Sequence, residues 1–333
     1  MIIQSNVKGR VELNLEHQHV IVHGRNGGGK SAVVHSVELA CFGSVRDAAG
    51  RDMKQKSLVQ HVAAPGEELR AHVTFNCGLS CTWPSKNTHG LKNPLAITLG
   101  VLTGSTSKLL VYLLRNMDDD HEVNLDYANW DAVVRRHGGY RTALIEMHEN
   151  CSSGIRSAQS RLREHRVVKR YLEGDGNGGP ARFQELMGAI REDEKVLADN
   201  KELLQQIEKE MKSFVQGALP GLEQKMLPFM PDGMDAPKFV WMEKQLRLGF
   251  EGRPVPSGAE LVALAIALAV VTVPDESDSR HVWILPDRAY DPITLGNIMR
   301  VLRSLFCRAV VIQTTVLPEG YDYTDYGWEA VEV

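Results

Sequence analysis

The period of apolar and polar positions changes along this chain, and each change marks a different kind of element. From residue 2 to residue 23 the apolar residues come in short, β-branched runs: IIQSNV, VELNL and HVIVH. They alternate in part and end at Gly24, which predicts strands. After Lys30 the run SAVVHSVELACFG places apolar residues at helical spacing and stops at Gly43, which predicts a helix. Residues 44–58 are polar and basic, LRAHVTFNC reads as another strand, and a helix is expected around 106–116.

The middle of the chain has a period of seven. Phe183, Ile190, Leu197, Leu204 and Met211 form one series, and Leu186, Asp193, Asn200, Ile207 and Phe214 a second, offset by three. Two interleaved series of this kind are the seam of a coiled coil, weakened here by Asp193 and Asn200, which also set its register. Upstream, Leu144, Cys151, Ala158, His165 and Leu172 with Ile155 and Leu162 offer the partner stripe. GDGNGGP at 174–180 cannot continue a helix, so an antiparallel hairpin is expected. Arms of ~33 residues would reach roughly 50 Å at 1.5 Å per residue. The incoming helix is basic near its tip (Arg156, Arg161, Arg163, Arg166, Lys169, Arg170), and the outgoing one carries Glu192, Asp193, Glu194, Glu202, Glu208 and Glu210. Opposite charges meeting across the hairpin is one reading, and a basic stripe for DNA the other.

Beyond the prolines at 220, 228, 231 and 237, KFVWMEKQLRLGF reads as a strand and the segment from Ser257 as an apolar helix. HVWIL is a buried strand, ITLGNIMRVLRSLF a helix and RAVVIQTT a last strand. Strands alternating with helices at both ends, split by one helical hairpin, predict an α/β fold. Its parts are an N-terminal lobe at 1–139, the arm at 140–215 and a C-terminal lobe at 216–333.

Composition narrows the function classes. The 333 residues are 43% hydrophobic and 24% charged, within the globular range. With 38 basic and 42 acidic residues the formal charge is −4, so any DNA contact must be a local basic face. The five cysteines are scattered without a second close pair, which points to reduced thiols in a cytoplasmic compartment. The longest apolar run, residues 261–273, is about 13 residues, too short to span a bilayer. The N-terminus has no signal-peptide pattern, and no membrane partner is expected.

The candidate chemistry starts at Gly24-Arg25-Asn26-Gly27-Gly28-Gly29-Lys30-Ser31, the pattern G-x-x-x-x-G-K-[ST] between a predicted strand and helix. Glycines let backbone N–H groups turn inward on a phosphate, and the helix adds its positive end. Lys30 should reach the β/γ-phosphates and Ser31 should hold Mg²⁺, with Ala32 continuing the helix start. A nucleoside triphosphate with Mg²⁺ is the expected ligand. A second helix start, Ser257-Gly258-Ala259-Glu260, presents a hydroxyl and outward amides. A plain capping box closed by Glu260 explains it equally well.

These segments resemble the ABC-type ATPase heads of the SMC/RecF family. The likeness covers about the first 85 residues (MIIQSNVKG, RVELNL, HVIVHGRNGGGKSAVVHSVELACFG) and residues 240–333, including SGAELVALAIALA, which is similar to the family's signature motif. It implies an ABC-type P-loop head with an inserted coiled-coil hairpin, and that the triphosphate is ATP. Two heads would sandwich two ATP molecules, Ser257 and Gly258 of one contacting the γ-phosphate held by Gly29, Lys30 and Ser31 of the other. Asp291 resembles the later D-loop aspartate. Longer members end in a hinge or a zinc-binding cysteine hook, and no cysteine lies between Cys151 and Cys307. Dimerisation is therefore expected from the heads and to depend on ATP.

The chain departs from the family after its Walker-B type strand, where members carry Asp-Glu and this one reads VWILPDRAYDP. In one register Pro286 replaces the magnesium-side Asp and Asp287 the Glu. In the other, Asp287 is the magnesium residue and Arg288 stands at the base position. Either way one carboxylate is missing and hydrolysis should be slow. At the switch position, usually His, stands Thr314 or Thr315. Gln55 and Gln60 are the weak candidates for a Q-loop, and His23 and His35 read as structural. The reading is a homodimerising ATPase acting on DNA in repair, recombination or genome processing, with a nuclease or other effector. The alternatives are an ATP-gated clamp with little turnover, a transporter ATPase subunit and, more weakly, a phosphate-loop kinase.

Overall fold

The computed structural model describes residues 1–46, 53, 68–85, 89–117, 122, 123, 125–175, 180–272, 280–286, 288, 290–305, 307–318, 323 and 327–333. In chain order its elements are β1 (Ile2–Ser5), β2 (Val11–Asn14), β3 (His19–His23), α1 (Lys30–Phe42), β4 (Ala71–Thr74) and β5 (Ser80–Trp83). Then come α2 (Pro94–Leu102), α3 (Thr106–Arg115), α4 (Trp130–His137), α5 (Tyr140–Asp175) and α6 (Pro180–Met226). The last are β6 (Pro237–Met242), β7 (Gln245–Phe250), α7 (Gly258–Thr272), β8 (Val282–Ile284), α8 (Pro292–Ser304), β9 (Ala309–Thr314) and β10 (Trp328–Glu332). They form two compact units, residues 1–106 with 220–333, and residues 107–219.

The first unit is built on a parallel sheet of order β10-β3-β9-β8. Its strands are continuous apolar runs because both faces are covered, the usual state of parallel sheets. Period two sorts the side chains: Val20, Val22, Val282, Ile284, Ala309 and Val311 join α1 and the antiparallel sheet β2-β1-β4-β5 in one core. Ile21, Trp283, Leu285, Val310, Ile312 and Trp328 face the opposite core with α2, α7 and α8. Helix α7 is apolar all round because it is buried nearly all round, from Val262 to Ala269. The stretch read as one strand at 238–250 is two, β6 and β7, paired antiparallel and reversed at Glu243, whose φ is 54°. A single run of apolar positions hid the turn because Glu243 and Lys244 interrupt it without glycine or proline.

In the second unit α5 and α6 run antiparallel. Arg161 meets Asp193, and closer to the start of α5 the Gly154 Cα faces the Asn200 side chain, while His148 meets Glu208. Both heptad stripes point inward: Leu144, Cys151, Ala158, Leu162, Ile190, Ile207, Met211 and Phe214 are buried. Of the polar seam residues, Asp193 is answered from the facing helix and Asn200 within its own. Asp193 accepts from Arg161 Nε at 2.8 Å and lies 3.2 Å from His165 Nε2, so its carboxyl is held below the ordinary range, first by the Arg161 hydrogen bond. Asn200 Nδ2 donates to Val196 O at 2.8 Å on its own helix, and its side chain lies against Gly154, where a Cβ would come 2.9 Å from Asn200 Oδ1. Of the basic residues, Arg161 pairs across the seam and Lys169 pairs along its own helix with Glu173. The general pairing of opposite faces is thus confined, among the described residues, to Asp193 with Arg161 and His165, and to Glu208 with His148. The arms, 36 and 47 residues, exceed the expected length. The turn at 176–179 lies outside the described residues.

Candidate nucleotide-binding site

Strands β3, β9 and β8 are parallel, so their carboxyl ends share one edge, where open α/β sheets take ligands. The loop Gly24–Gly29 leaves β3 at this edge and enters α1 directly. Its glycines do two different jobs. Gly24 and Gly28 pass against the backbone of Val333: a Cβ would lie 2.1 Å and 2.5 Å from Val333 O. That close approach follows from β10 running beside β3, with Val333 N donating to His23 O at 2.9 Å. Gly27 and Gly29 have φ of 87° and 106°, left-handed values that favour glycine, and no atom lies within 4 Å of where a Cβ would be. Arg25 to Gly29 are exposed to solvent.

Lys30, only 5% exposed, is folded over this loop, its ammonium donating to Gly24 O at 2.8 Å and Arg25 O at 2.9 Å. Both bonds satisfy the charge that burial would otherwise penalise. Ser31 in the first turn of α1 accepts a hydrogen bond from Gln313 Nε2 at 3.3 Å. Gln313 is 3% exposed and belongs to β9, paired with Val22 next to the loop. The switch candidates behave differently. Thr314 is buried, with its hydroxyl donating to Val316 O at 2.9 Å, and Thr315 is exposed. Gln313, overlooked in the sequence as one more residue of a buried strand, is the β9 side chain that reaches Ser31. The only hint was a polar residue inside an apolar run.

Beyond β8, Leu285 N still donates to Val311 O at 3.0 Å, and the carbonyl of Pro286 accepts from Tyr290 Oη. Asp287 lies outside the described residues, as do Gln55 and Gln60. Arg288 runs back along the start of α7, its Cδ 3.5 Å from a Cβ built at Gly258. Asp291 caps α8, accepting from Thr294 N at 2.9 Å; hydrogen bonding from the Thr294 side chain first, and from its backbone second, holds the carboxyl below its ordinary range. Ser257 and Gly258 are both exposed at the start of α7. Ser257 N donates to Glu260 Oε2 at 2.7 Å, and Glu260 N to Ser257 Oγ at 3.5 Å, a capping box with one short and one long arm. Partial burial pushes the Glu260 carboxyl up, but the bonds from Ser257 and Arg253 outweigh it and leave the carboxyl below its usual range.

These residues fit a nucleoside triphosphate. The loop is exposed to solvent, Gly27 and Gly29 carry left-handed backbone angles, and a lysine and a hydroxyl stand beside it. The Ser31 hydroxyl is the residue that would hold a magnesium ion bound with the phosphates, an oxygen donor of the kind this ion takes. Among the described residues no group of three or more His, Cys, Asp or Glu could hold a metal by itself, and no helix is long and apolar enough to cross a membrane.

No protein-family model matches the chain, and no curated protein matches it. Solved structures do. It is similar to the SMC head domain of Pyrococcus furiosus with an extended coiled coil, solved bound to the C-terminal domain of ScpA: 12% identity, 95% of this chain and 89% of that one, TM-score 0.41. It is also similar to the recombination mediator protein RecF of the RecFOR pathway. In the RecF-ATPrS structure the identity is 10% over 95% of this chain and 91% of that one, TM-score 0.41. In the RecF-ATP structure the identity is 9% over 94% and 92%, TM-score 0.42. What the chain itself defines is a mixed α/β fold, interrupted by an antiparallel helical hairpin, with a glycine-rich phosphate-loop pattern between its strand β3 and helix α1.

Proposed function

We propose that this chain is an ATP-binding head that closes in pairs around nucleotide and acts on DNA in repair, recombination or genome processing, together with a nuclease or other effector. One observation carries the nucleotide half: the exposed loop Gly24–Gly29 at the carboxyl edge of the parallel sheet, with Lys30 folded over it and Ser31 held beside it. Bound Mg²⁺ would neutralise charge on the phosphates. The chain's own contribution is to bind and orient them: loop amides face the phosphates, Lys30 exchanges a loop carbonyl for an oxygen anion, and Ser31 positions the ion.

Pairing of heads draws support from the exposed Ser257. Apolar side chains left in solvent flank three segments of this edge: Val255 before Ser257, Ile293 (76% exposed) after Asp291, and Val316 after Thr314. The DNA half draws on the outward face of α5. Arg163, Arg166 and Arg170 are exposed there, make no ion pair with any described residue, and stand among exposed Val167 and Tyr171. Guanidinium groups on one helix face with an exposed ring suit a phosphate backbone.

The test is particle size with and without ATP, for the wild type, Lys30→Ala and Ser257→Arg. ATP-dependent dimers lost in both variants are expected. If both variants still dimerise with ATP, the sandwich is wrong. A second reading, an ATP-gated clamp with little turnover, is favoured by Arg288. In one register it occupies the place of the general base, and it packs against Gly258. ATP-dependent dimers that release no phosphate would select the clamp.

A further inference from the structure

Ser31 receives the amide of Gln313 at 3.3 Å, from a strand 282 residues further along the chain. Gln313 is almost fully enclosed, so this amide is not a surface side chain making an incidental contact. Its neighbour Thr314 turns its hydroxyl to its own backbone, which leaves the Ser31 contact to Gln313 alone on β9 among the described residues. A serine hydroxyl that gives its lone pair to a cation still carries a proton, and that proton needs an acceptor. The glutamine amide offers one: its oxygen and nitrogen exchange places by a half turn about the last torsion, so the same side chain can donate to the free hydroxyl and accept from the metal-bound one. Outer partners of this kind orient the ligand and tune the ion.

We infer that Gln313 is a positioning residue for Ser31 that couples magnesium to nucleotide binding, supplying from β9 an amide at the phosphate site. This inference rests on the nucleotide reading above. It assigns Gln313 no contact with the reacting atoms. Its effect passes through Ser31, and it should appear in how much magnesium strengthens nucleotide binding.

The experiment measures binding of a fluorescent ATP analogue to the full chain with Mg²⁺ and with EDTA. The variants are Gln313→Met, which keeps the buried volume and removes the amide, Gln313→Glu, Ser31→Ala and the double variant Ser31→Ala with Gln313→Met. The strengthening by magnesium should fall about tenfold in Gln313→Met, while affinity in EDTA stays within about twofold. Gln313→Glu should retain it, since a carboxylate still accepts the serine proton. In the Ser31→Ala background Gln313→Met should have no further effect. Melting temperatures check folding, and Gln313→Glu answers the question should Gln313→Met fail to fold: loss of the magnesium effect in Gln313→Glu overturns the inference. So does full retention in Gln313→Met, or equal loss with and without magnesium. A wild type that binds no nucleotide under either condition would remove the nucleotide reading itself. Wild-type binding with an unaltered Gln313→Met removes only this inference.

Discussion

Ser257 has two candidate roles, and a single substitution separates them because their magnitudes differ. As a helix cap it holds Glu260 N at 3.5 Å, the outer limit of a hydrogen bond, in an exposed setting. Removing a good serine cap costs about 0.5–2 kcal/mol, so this long one belongs at about 0.5 kcal/mol. For a chain of this size that is a shift of about 1 °C in melting temperature. The stronger arm of the box runs the other way: Glu260 accepts from Ser257 N at 2.7 Å and pairs with Arg253 at 2.7 Å. As a contact to a partner's nucleotide, by contrast, the hydroxyl is a hydrogen bond to a charged group, worth about 1.5–3 kcal/mol, or roughly ten- to a hundredfold in dimerisation. Ser257→Ala should therefore leave the nucleotide-free melt almost unmoved and weaken ATP-dependent dimers at least tenfold in sedimentation. Glu260→Gln should do the reverse, lowering the melt more than it weakens the dimer. If Ser257→Ala shifts the melt by several degrees and leaves the ATP dimer intact, the serine is a cap and nothing more.

Gly24→Ala and Gly27→Ala both alter the loop, with different expected outcomes in denaturant unfolding. The first drives a Cβ to 2.1 Å from Val333 O and should lose about 3 kcal/mol, while the second meets no atom and should lose about 1 kcal/mol for its left-handed backbone. Asp193 is held below its usual 3.8 by Arg161 and then His165, so its stabilisation is present above that value and lost as pH falls through the lower folded one. Asp193→Asn should therefore melt earlier than wild type at pH 6, with the gap closing below about pH 3.8; a gap constant across that range would refute the pairing. Replacing Arg163, Arg166 and Arg170 together by Gln should reduce the salt slope of duplex DNA binding by about 2.7, at 0.9 per phosphate contact. An unchanged slope would place the DNA elsewhere.

What could be read directly from the residues was what depends on near neighbours. The glycine loop, the helix after it and the heptad stripes are local patterns. The chemistry that makes them, backbone freedom at Gly27 and Gly29 or apolar spacing at Leu144, Cys151 and Ala158, acts over a few residues. The capping box at Ser257 was equally legible, since both its partners lie within one turn. Distant partners were not. Nothing in GRNGGGKS says that Gly24 and Gly28 answer to Val333, because that demand appears only when β10 lines up beside β3. Gln313 looked like a polar interruption of a strand until the register put it beside Val22 and the start of α1. The polar seam positions were visible at Asp193 and Asn200, but Arg161 and His165, which answer Asp193, and Gly154, which faces Asn200, lie on the other helix. Local backbone preference and apolar period are properties of a few consecutive residues, so the amino-acid order alone determined the phosphate loop, the helix after it and the heptad stripes, while the reversal at Glu243 between β6 and β7 escaped it. Close approach and hydrogen bonding between remote segments exist only after packing, so tertiary structure alone decided which side chain attends Ser31.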